Sequence, residues 1–411
     1  MKFIRLLGLL AIPLAIASCQ KEFVSEESTM PPRTEARSVS KSKTLSPEEL
    51  ATIKTRLENF IATHKISDNI KLPDGRGDGN NNQSILKNNF DYLQWKKVAD
   101  RAINPGDYLC SSTNFNDWVD NSIDDWDFID YLNWYFFGDL PMYEALYFDN
   151  EEGGDYYGVN DEYYYRVEGT LSDLKKFWNK YPVRIQAVDM HGDLYDNIRY
   201  LTFVIQYLYG ISPGNALDFA TDLRAYFGQP QFDNYNHPLF SLNAFAFYGN
   251  EEYIPGFESI LGPLANKIVM GDGILMGIKG IGFDDVGCEA IMGHEFAHQI
   301  QYKMNYFGPN SPEGTRRTEL MADAFSAYYL THNKGKGMKG NRVSHFFEVF
   351  YNIGDCSFSS SGHHGTPNQR KKAAEWGYNL AQNTRGRVLK VEQVFALFEA
   401  ALPGIVAPDA S

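Results

Sequence analysis

The spacing of apolar residues along the second half of the chain predicts a series of strands and helices. Short apolar runs bounded by turn-forming residues are typical of strands, and apolar residues three or four positions apart are typical of helices. The predicted strands are 183–188, 240–248 and 267–276, and the predicted helices are 198–208, 215–227, 286–302 and 312–332, followed by a helical C-terminus. This order predicts an α+β fold with a short mixed sheet.

The predicted helix at 286–302 carries the pattern HExxH, as HEFAH. His294 and His298 are four residues apart, so they lie on one helix face and can present two imidazole nitrogens to one metal ion. Glu295 points roughly 100° around the helix and can reach a water molecule at that metal without binding the metal itself. The pattern therefore indicates a zinc site with Glu295 as general base. The alternative, two core histidines bonded to backbone carbonyls, leaves Glu295 half buried without a role.

The predicted helix at 312–332 carries two carboxylates on one face. Glu319 and Asp323 are again four apart, and the small residues Ala322 and Ala324 would let this helix lie close to the first. Two histidines and one glutamate leave the fourth position of a zinc ion for water, as a catalytic site needs. We therefore expect Glu319 to be the third ligand and Asp323 to accept the second ring N–H of a ligand histidine. The alternative is a solvated helix face.

Two helix starts carry capping signals. Asp284 and Asp285 precede the HExxH helix and are expected to cap its N-terminus and complement the helix dipole. Ser46 is expected to begin another helix, because Pro47 suits the first helical position and Glu49 completes a capping box.

Together the metal-binding residues resemble the gluzincin group of zinc metallopeptidases, whose pattern is HExxH followed by a glutamate on a later helix. The runs HEFAHQIQ, ELMADAFSAYYL and HGTPNQR look like the bacterial neutral zinc metallopeptidase family, and LNAFA at 242–246 is similar to a strand entry in related membrane-associated peptidases. The resemblance covers roughly residues 240–385. It implies a zincin-like domain with two metal-binding helices and a peptide or protein substrate.

The resemblance also implies a mechanism. Zinc polarises the scissile carbonyl, and Glu295 takes a proton from water and passes it to the leaving amine. A donor must stabilise the oxyanion, and we expect His364 to do so; the other local donors are His363, Tyr328 and Arg370. The alternative for His364 is a loop histidine that caps a helix starting three residues later.

The N-terminus predicts export and a lipid anchor. Lys2 and Arg5 precede an apolar run at 6–16 that is too short to span a bilayer comfortably, and small residues precede Cys19. This arrangement resembles a bacterial lipobox, in which the cysteine is lipidated and becomes the first residue of the mature protein. Acyl chains on Cys19 would hold the protein stably at a membrane. We therefore predict a cell-envelope lipoprotein facing the periplasm or the medium.

Composition divides the rest of the chain. Residues 1–18 are the predicted signal peptide and 19–45 a flexible tether, followed by an aromatic and acidic region at 46–181 and the metallopeptidase domain at 182–411. Residues 114–165 contain 14 acidic residues and no lysine or arginine. Such a block can bind Ca²⁺ or be a solvated surface whose aromatic residues build a core. A net charge of −14 disfavours nucleic acid as a partner.

Two weaker signals concern a loop and the cysteines. The loop at 74–82 has a loose spacing of oxygen ligands for Ca²⁺ and an RGD tripeptide, but plain loop composition explains both. Cys110, Cys288 and Cys356 remain beyond the lipobox. Their odd number permits at most one internal disulfide, and Cys288 with Cys356 is the first pair to test.

A second functional hypothesis is a surface lipoprotein whose aromatic, acidic N-terminal half binds glycans or peptides. The zinc module would then be structural or vestigial. Glu295 discriminates between the two hypotheses, because a binding protein has no need of a carboxylate beside an intact ligand set.

Overall fold

The computed structural model describes residues 44–64, 110–149, 154–178, 184–253, 258–306, 312–355 and 364–409. The elements before the first strand are α1 Pro47–His64, α2 Asn114–Ser122, α3 Phe128–Phe137, α4 Leu140–Tyr143, a π-helix Glu144–Phe148 and α5 Tyr164–Phe177. Then come β1 Ile185–Met190, α6 Ile198–Tyr209, α7 Pro213–Phe227, β2 Ala244–Tyr253, α8 Glu258–Leu261, β3 Pro263–Gly271 and α9 Asp272–Gly280, with short 3₁₀ turns between some of them. The chain continues with α10 Gly287–Met304, α11 Pro312–Thr331, α12 Asn341–Asn352, α13 Pro367–Asn383 and α14 Val391–Ile405.

The described strands form one three-stranded sheet in the order β1-β3-β2. Strand β1 pairs with β3 in parallel, with Ile185 opposite Asn266. Strand β2 pairs with β3 antiparallel, with Ala244 opposite Met270. Two parallel strands need a long crossover connection. Helices α6 and α7 are part of the connection between β1 and β3. The mixed sheet among many helices confirms the predicted α+β class.

Two predicted strands are displaced at both ends, since β2 continues to Tyr253 and β3 begins at Pro263. Residues 238–240 form a 3₁₀ turn, and β2 starts only at Ala244. The predicted strand at 267–276 ends at Gly271, where the chain enters α9 directly. Both errors follow from short apolar runs, whose composition fits a strand and a buried helical segment equally well. Strand β3 is also the central strand, so it offers no free edge to a peptide.

Helix α10, which carries the HExxH motif, is buried almost all round. It packs against α11, α5, β2 and β3. Gln299 fixes it to the sheet, because its Nε2 donates to the carbonyls of Phe247 at 2.9 Å and Lys267 at 2.7 Å. At Gly293 a Cβ would lie 2.5 Å from Ser326 Oγ of α11. Only glycine therefore permits the close approach of the two helices that carry the predicted ligands.

The two predicted helix caps have opposite outcomes. At α1 the capping box is confirmed, because Ser46 N donates to Glu49 at 2.8 Å and Glu49 N donates to Ser46 Oγ at 3.2 Å. At α10 the predicted aspartate cap is wrong, because the N-cap is Val286 and has no side-chain cap bond. Asp284 instead accepts from the Tyr163 hydroxyl, and Asp285 bonds to a histidine on α12. Tertiary contacts therefore override the local cap.

One hydrophobic core includes residues from both sides of the predicted boundary at 181–182. The acidic region contributes buried rings such as Trp134 and Phe137, so many of its aromatic residues do build a core. At the end of α5, Phe177 lies 5.3 Å from Tyr329 of α11 between ring centroids. Helix α5 of the acidic region therefore packs against α10 and contacts α11. The division at 181–182 stays a prediction.

The predicted signal peptide, Cys19 and the loop at 74–82 lie outside the described residues. Within the described ranges, no helix combines the length and apolar character that crossing a membrane requires. The predicted pairing of Cys288 with Cys356 is wrong, because Cys288 is a free, buried thiol. Cys110 is disulfide-bonded instead. Spacing along the chain gave no means to choose between the pairs.

Candidate metal centre

His294, His298 and Glu319 converge on one point in the interior. One ligand atom from each lies within 4.8 Å of the others. The two Nε2 atoms of the histidines are 3.0 Å apart, Glu319 Oε2 is 3.2 Å from His294 Nε2, and Glu319 Oε1 is 3.5 Å from His298 Nε2. All three side chains are buried, with exposures of 6%, 0% and 1%. This group can bind a metal ion.

The Nδ1 atom of each histidine is held by a separate acceptor. His294 Nδ1 donates to Asp323 Oδ1 at 2.8 Å, and His298 Nδ1 donates to Gln301 Oε1 at 2.7 Å. Gln301 is fixed in turn, because its Nε2 donates to Thr318 O at 2.9 Å. A carboxylate or amide oxygen can only accept, so both Nδ1 atoms carry hydrogen and both Nε2 atoms face the point of convergence.

Asp323 is itself clamped from the other side. Arg370 of α13 donates to both of its oxygens, at 2.8 Å from Nε and 2.6 Å from Nη2. A third guanidinium bond, from Nη1, reaches the carbonyl of Ile353 at 3.0 Å. Asp323 and Arg370 are both buried, so this bidentate pair fixes the orientation of the carboxylate that faces His294.

The charge balance of the group favours a cation. Burial would lower the pKa of His294, but hydrogen bonds to Asp323 and Glu319 outweigh it and raise the pKa to about 10. Burial would raise the pKa of Glu319, but His298 and His364 hold it well below its ordinary value. Two Nε2 lone pairs 3.0 Å apart repel each other unless a proton or a metal ion lies between them.

The spacing of the donors fits zinc. Two ligand atoms at tetrahedral positions, each about 2.0–2.1 Å from zinc, are about 3.3 Å apart. The two Nε2 atoms are 3.0 Å apart, and the nearer Glu319 oxygen lies 3.2 Å from His294 Nε2 and the other 3.5 Å from His298 Nε2, all close to that value. Glu319 Oε1 is buried without a hydrogen bond, which leaves it able to bind a metal. Two imidazoles and one carboxylate suit zinc better than Ca²⁺ or Mg²⁺, which prefer oxygen ligands.

Glu295 lies beside this group without joining it. Its side chain is 4% exposed, and its Oε2 has no hydrogen-bond partner. Burial raises its pKa above the ordinary range, although the adjacent histidines oppose that shift. A buried carboxylate oxygen without a hydrogen-bond partner costs free energy unless a water molecule or a ligand binds to it.

His364 reaches the site from the segment before α13. Its Nε2 is 3.9 Å from Glu319 Oε2, whereas its Nδ1 is 3.2 Å from Asp355 Oδ2. The backbone N of His364 also donates to Asp355, at 2.6 Å. His364 therefore directs Nε2 towards the metal group. The alternative reading as a helix cap is wrong, because Thr366 caps α13 through Gln369.

The other predicted donors are occupied elsewhere or lie outside the described residues. Arg370 binds Asp323, and the Tyr328 hydroxyl accepts from Leu389 N at 3.0 Å. His363 falls outside the described ranges. Among the four candidates, the described structure brings only His364 into contact distance of Glu319.

Two residues of the site, Gln301 and Asp355, were missed from the sequence, and so was the pairing of Arg370 with Asp323. Gln301 lies three positions after His298 on the same helix, so helical spacing could have identified it as a partner. Asp355 has no comparable signal, because its approach to His364 depends on how the chain returns from α12 to α13. Arg370 and Asp323 are 47 positions apart on different helices. No sequence signal indicated their pairing either.

Comparison with known proteins adds no relative. No family model matches the chain, and neither the curated proteins nor the solved structures include a match.

Proposed function

We propose that this protein is a zinc-dependent peptidase of gluzincin type. The observation that carries the proposal is the buried group of His294, His298 and Glu319 with the unpartnered carboxylate of Glu295 beside it. Zinc held by these three ligands would supply Lewis acidity that polarises a peptide carbonyl and lowers the pKa of water towards neutrality.

The protein's own residues then divide the remaining work. Asp323 and Gln301 hold the two histidines in the tautomer that exposes Nε2. Glu295 accepts the proton of the attacking water and delivers it to the leaving amine, a role that its raised pKa suits. His364, oriented by Asp355 through Nδ1, would donate from Nε2 when its ring carries both protons, to the oxygen that becomes negative as the carbonyl is attacked.

The ligand count favours catalysis over a structural zinc. Structural sites use four protein ligands, whereas catalytic sites use three and keep one position open. The group of mutually close ligand atoms contains three residues among those the structure describes, and the His364 ring is not part of it. The glycan- or peptide-binding alternative gives no role to the buried Oε2 of Glu295.

Strand β2 is the edge strand at which an extended peptide would bind. It lies at the edge of the sheet formed by the described strands, and α10 packs against it. A peptide can add to such an edge through main-chain hydrogen bonds. We place the proposed substrate there rather than along the central strand β3.

The anchor predicted at Cys19 completes the proposal. A lipidated cysteine followed by a tether at 19–45 would hold the peptidase at the surface of a membrane in the cell envelope. Its substrates would then be exported peptides or proteins.

Glu295→Gln tests the enzymatic proposal directly. The variant should keep wild-type zinc content but lose at least about a hundredfold in peptide hydrolysis, because it cannot accept a proton. Activity is measured by mass spectrometry on a mixed peptide library, and zinc by elemental analysis. Glu48→Gln is the matched control, since it removes one carboxylate from the exposed first turn of α1. Zinc-free wild type, or a Glu295→Gln variant as active as wild type, would contradict the proposal.

A further inference from the structure

A second group of metal-ligating side chains lies away from the HExxH helix. Carboxylate oxygens of Asp149, Asp155 and Asp189 lie within 4.8 Å of one another. Asp149 follows the π-helix, Asp155 precedes α5, and Asp189 lies on β1. The three ligands therefore belong to three separate parts of the fold.

The spacing of these oxygens fits a calcium ion. Ca²⁺ binds oxygens at about 2.3–2.6 Å, so two ligands on opposite sides are about 4.6–5.2 Å apart and all others are closer. Carboxylates this near to one another repel, by about 1 kcal/mol per pair at 4 Å even in bulk water. Asp189 is 1% exposed, so water screens its charge poorly.

The protein already places one cation on the inner side of this group. His191 Nε2 is 2.9 Å from Asp189 Oδ2, and its Nδ1 is 2.7 Å from Asp272 Oδ2. Burial opposes the charged form of His191, but these two carboxylates raise its pKa well above the ordinary value. Tyr156 stacks on the ring at a centroid distance of 3.6 Å. His191 thus fixes Asp189 from one side.

A buried hydroxyl gives an independent indication of a bound ligand. Tyr157 is 0% exposed, and its hydroxyl has no hydrogen-bond partner. Tyr157 lies two residues after Asp155, and burial together with the charges of Asp155, Asp189, Glu168 and Asp149 raises the pKa of its hydroxyl. Leaving such a group unsatisfied costs about 1–3 kcal/mol. A water molecule on a bound ion would satisfy it.

We propose that Asp149, Asp155 and Asp189 bind a calcium ion, with the Tyr157 hydroxyl directed at water on that ion. Three carboxylates and no nitrogen or sulfur ligand favour a hard cation over zinc. The ion would join the end of the π-helix and the segment before α5 to the sheet. It would therefore stabilise the acidic region against the domain that carries the metal helices.

The test is calcium binding to the metal-stripped protein in the His294→Ala background, where the zinc ligand set is incomplete. CaCl₂ alone should bind with a Kd between about 10⁻⁵ and 10⁻³ M and raise the melting temperature. Asp149→Asn/Asp155→Asn should weaken binding at least about tenfold, because affinity follows the charge of the ligands. Asp124→Asn/Asp125→Asn is the control, since it removes the same charge from an exposed turn of the acidic block.

Calcium affinity of the variants distinguishes a specific site from a general effect of charge. Tyr157→Phe should weaken calcium binding by less than the ligand variant, because only a contact through water is lost. Absence of saturable calcium binding, equal losses in both aspartate pairs, or preference for Mg²⁺ over Ca²⁺ would each overturn the proposal. Circular dichroism of the variants shows whether a loss comes from unfolding. The result does not depend on whether the protein hydrolyses peptides.

Discussion

Replacing Asp323 by asparagine tests how the site holds its metal ligand. The wild-type carboxylate is 0% exposed and accepts three hydrogen bonds, one from His294 and two from Arg370. Asparagine keeps the shape but offers one oxygen where the carboxylate offers two. An NH₂ group would therefore face either the imidazole N–H or the guanidinium, and the buried Arg370 would lose its bidentate anion.

Two separate losses follow from these contacts. Removing one partner of a buried ion pair costs about 3–5 kcal/mol of folding stability. Loss of the acceptor that orients a ligand histidine lowers zinc affinity about 10- to 100-fold, equivalent to about 1.4–2.7 kcal/mol. We expect both effects in Asp323→Asn, and excess zinc should restore much of the activity.

A double variant separates the two losses. Asp323→Asn/Arg370→Met removes the uncompensated cation, so much of the stability should return, whereas zinc affinity should stay low because His294 still lacks its carboxylate. Gln301→Ala is the control for the other histidine and should weaken zinc binding without the cost of a buried charge. Zinc affinity is measured by competition with a chromophoric chelator, and stability by thermal unfolding in EDTA.

Zinc binding by Asp323→Asn as tight as that of wild type would show that Asp323 does not orient His294. Recovery of zinc affinity together with stability in the double variant would show the same. The second result would mean that Asp323 acts only through folding and that the orientation of His294 does not depend on it.

Three further predictions concern the oxyanion donor, helix packing and the anchor. His364→Ala should lower kcat by about 100- to 1000-fold at unchanged zinc content; a kcat near that of wild type would remove His364 from the mechanism. Gly293→Ala should cost about 1–3 kcal/mol of stability because its Cβ would meet Ser326, and Ser326→Gly should recover part of that loss in thermal unfolding. Cys19→Ala should leave the protein uncleaved or released, whereas wild type partitions with membranes and incorporates labelled fatty acid; a soluble, unlabelled wild type would disprove the anchor.

The sequence alone determined those features of the protein that depend on local spacing. Helical periodicity predicted α10 and α11 to within a few residues and placed His294 with His298, and Glu319 with Asp323, on single helix faces. The mixture of apolar runs and helical spacing predicted the α+β class. These features are local, because side chains four positions apart on a helix are neighbours whatever surrounds them.

The tertiary structure decided whatever required distant segments to meet. It paired Asp323 with Arg370, placed Asp355 behind His364, and gave Asp284 a partner in Tyr163 where the sequence predicted a cap. It also brought carboxylate oxygens of Asp149, Asp155 and Asp189, which lie in three separate parts of the chain, within 4.8 Å of one another. Burial is the physical reason: once these polar groups leave water, each takes whichever partner the packed chain brings within reach, and sequence spacing does not encode that choice.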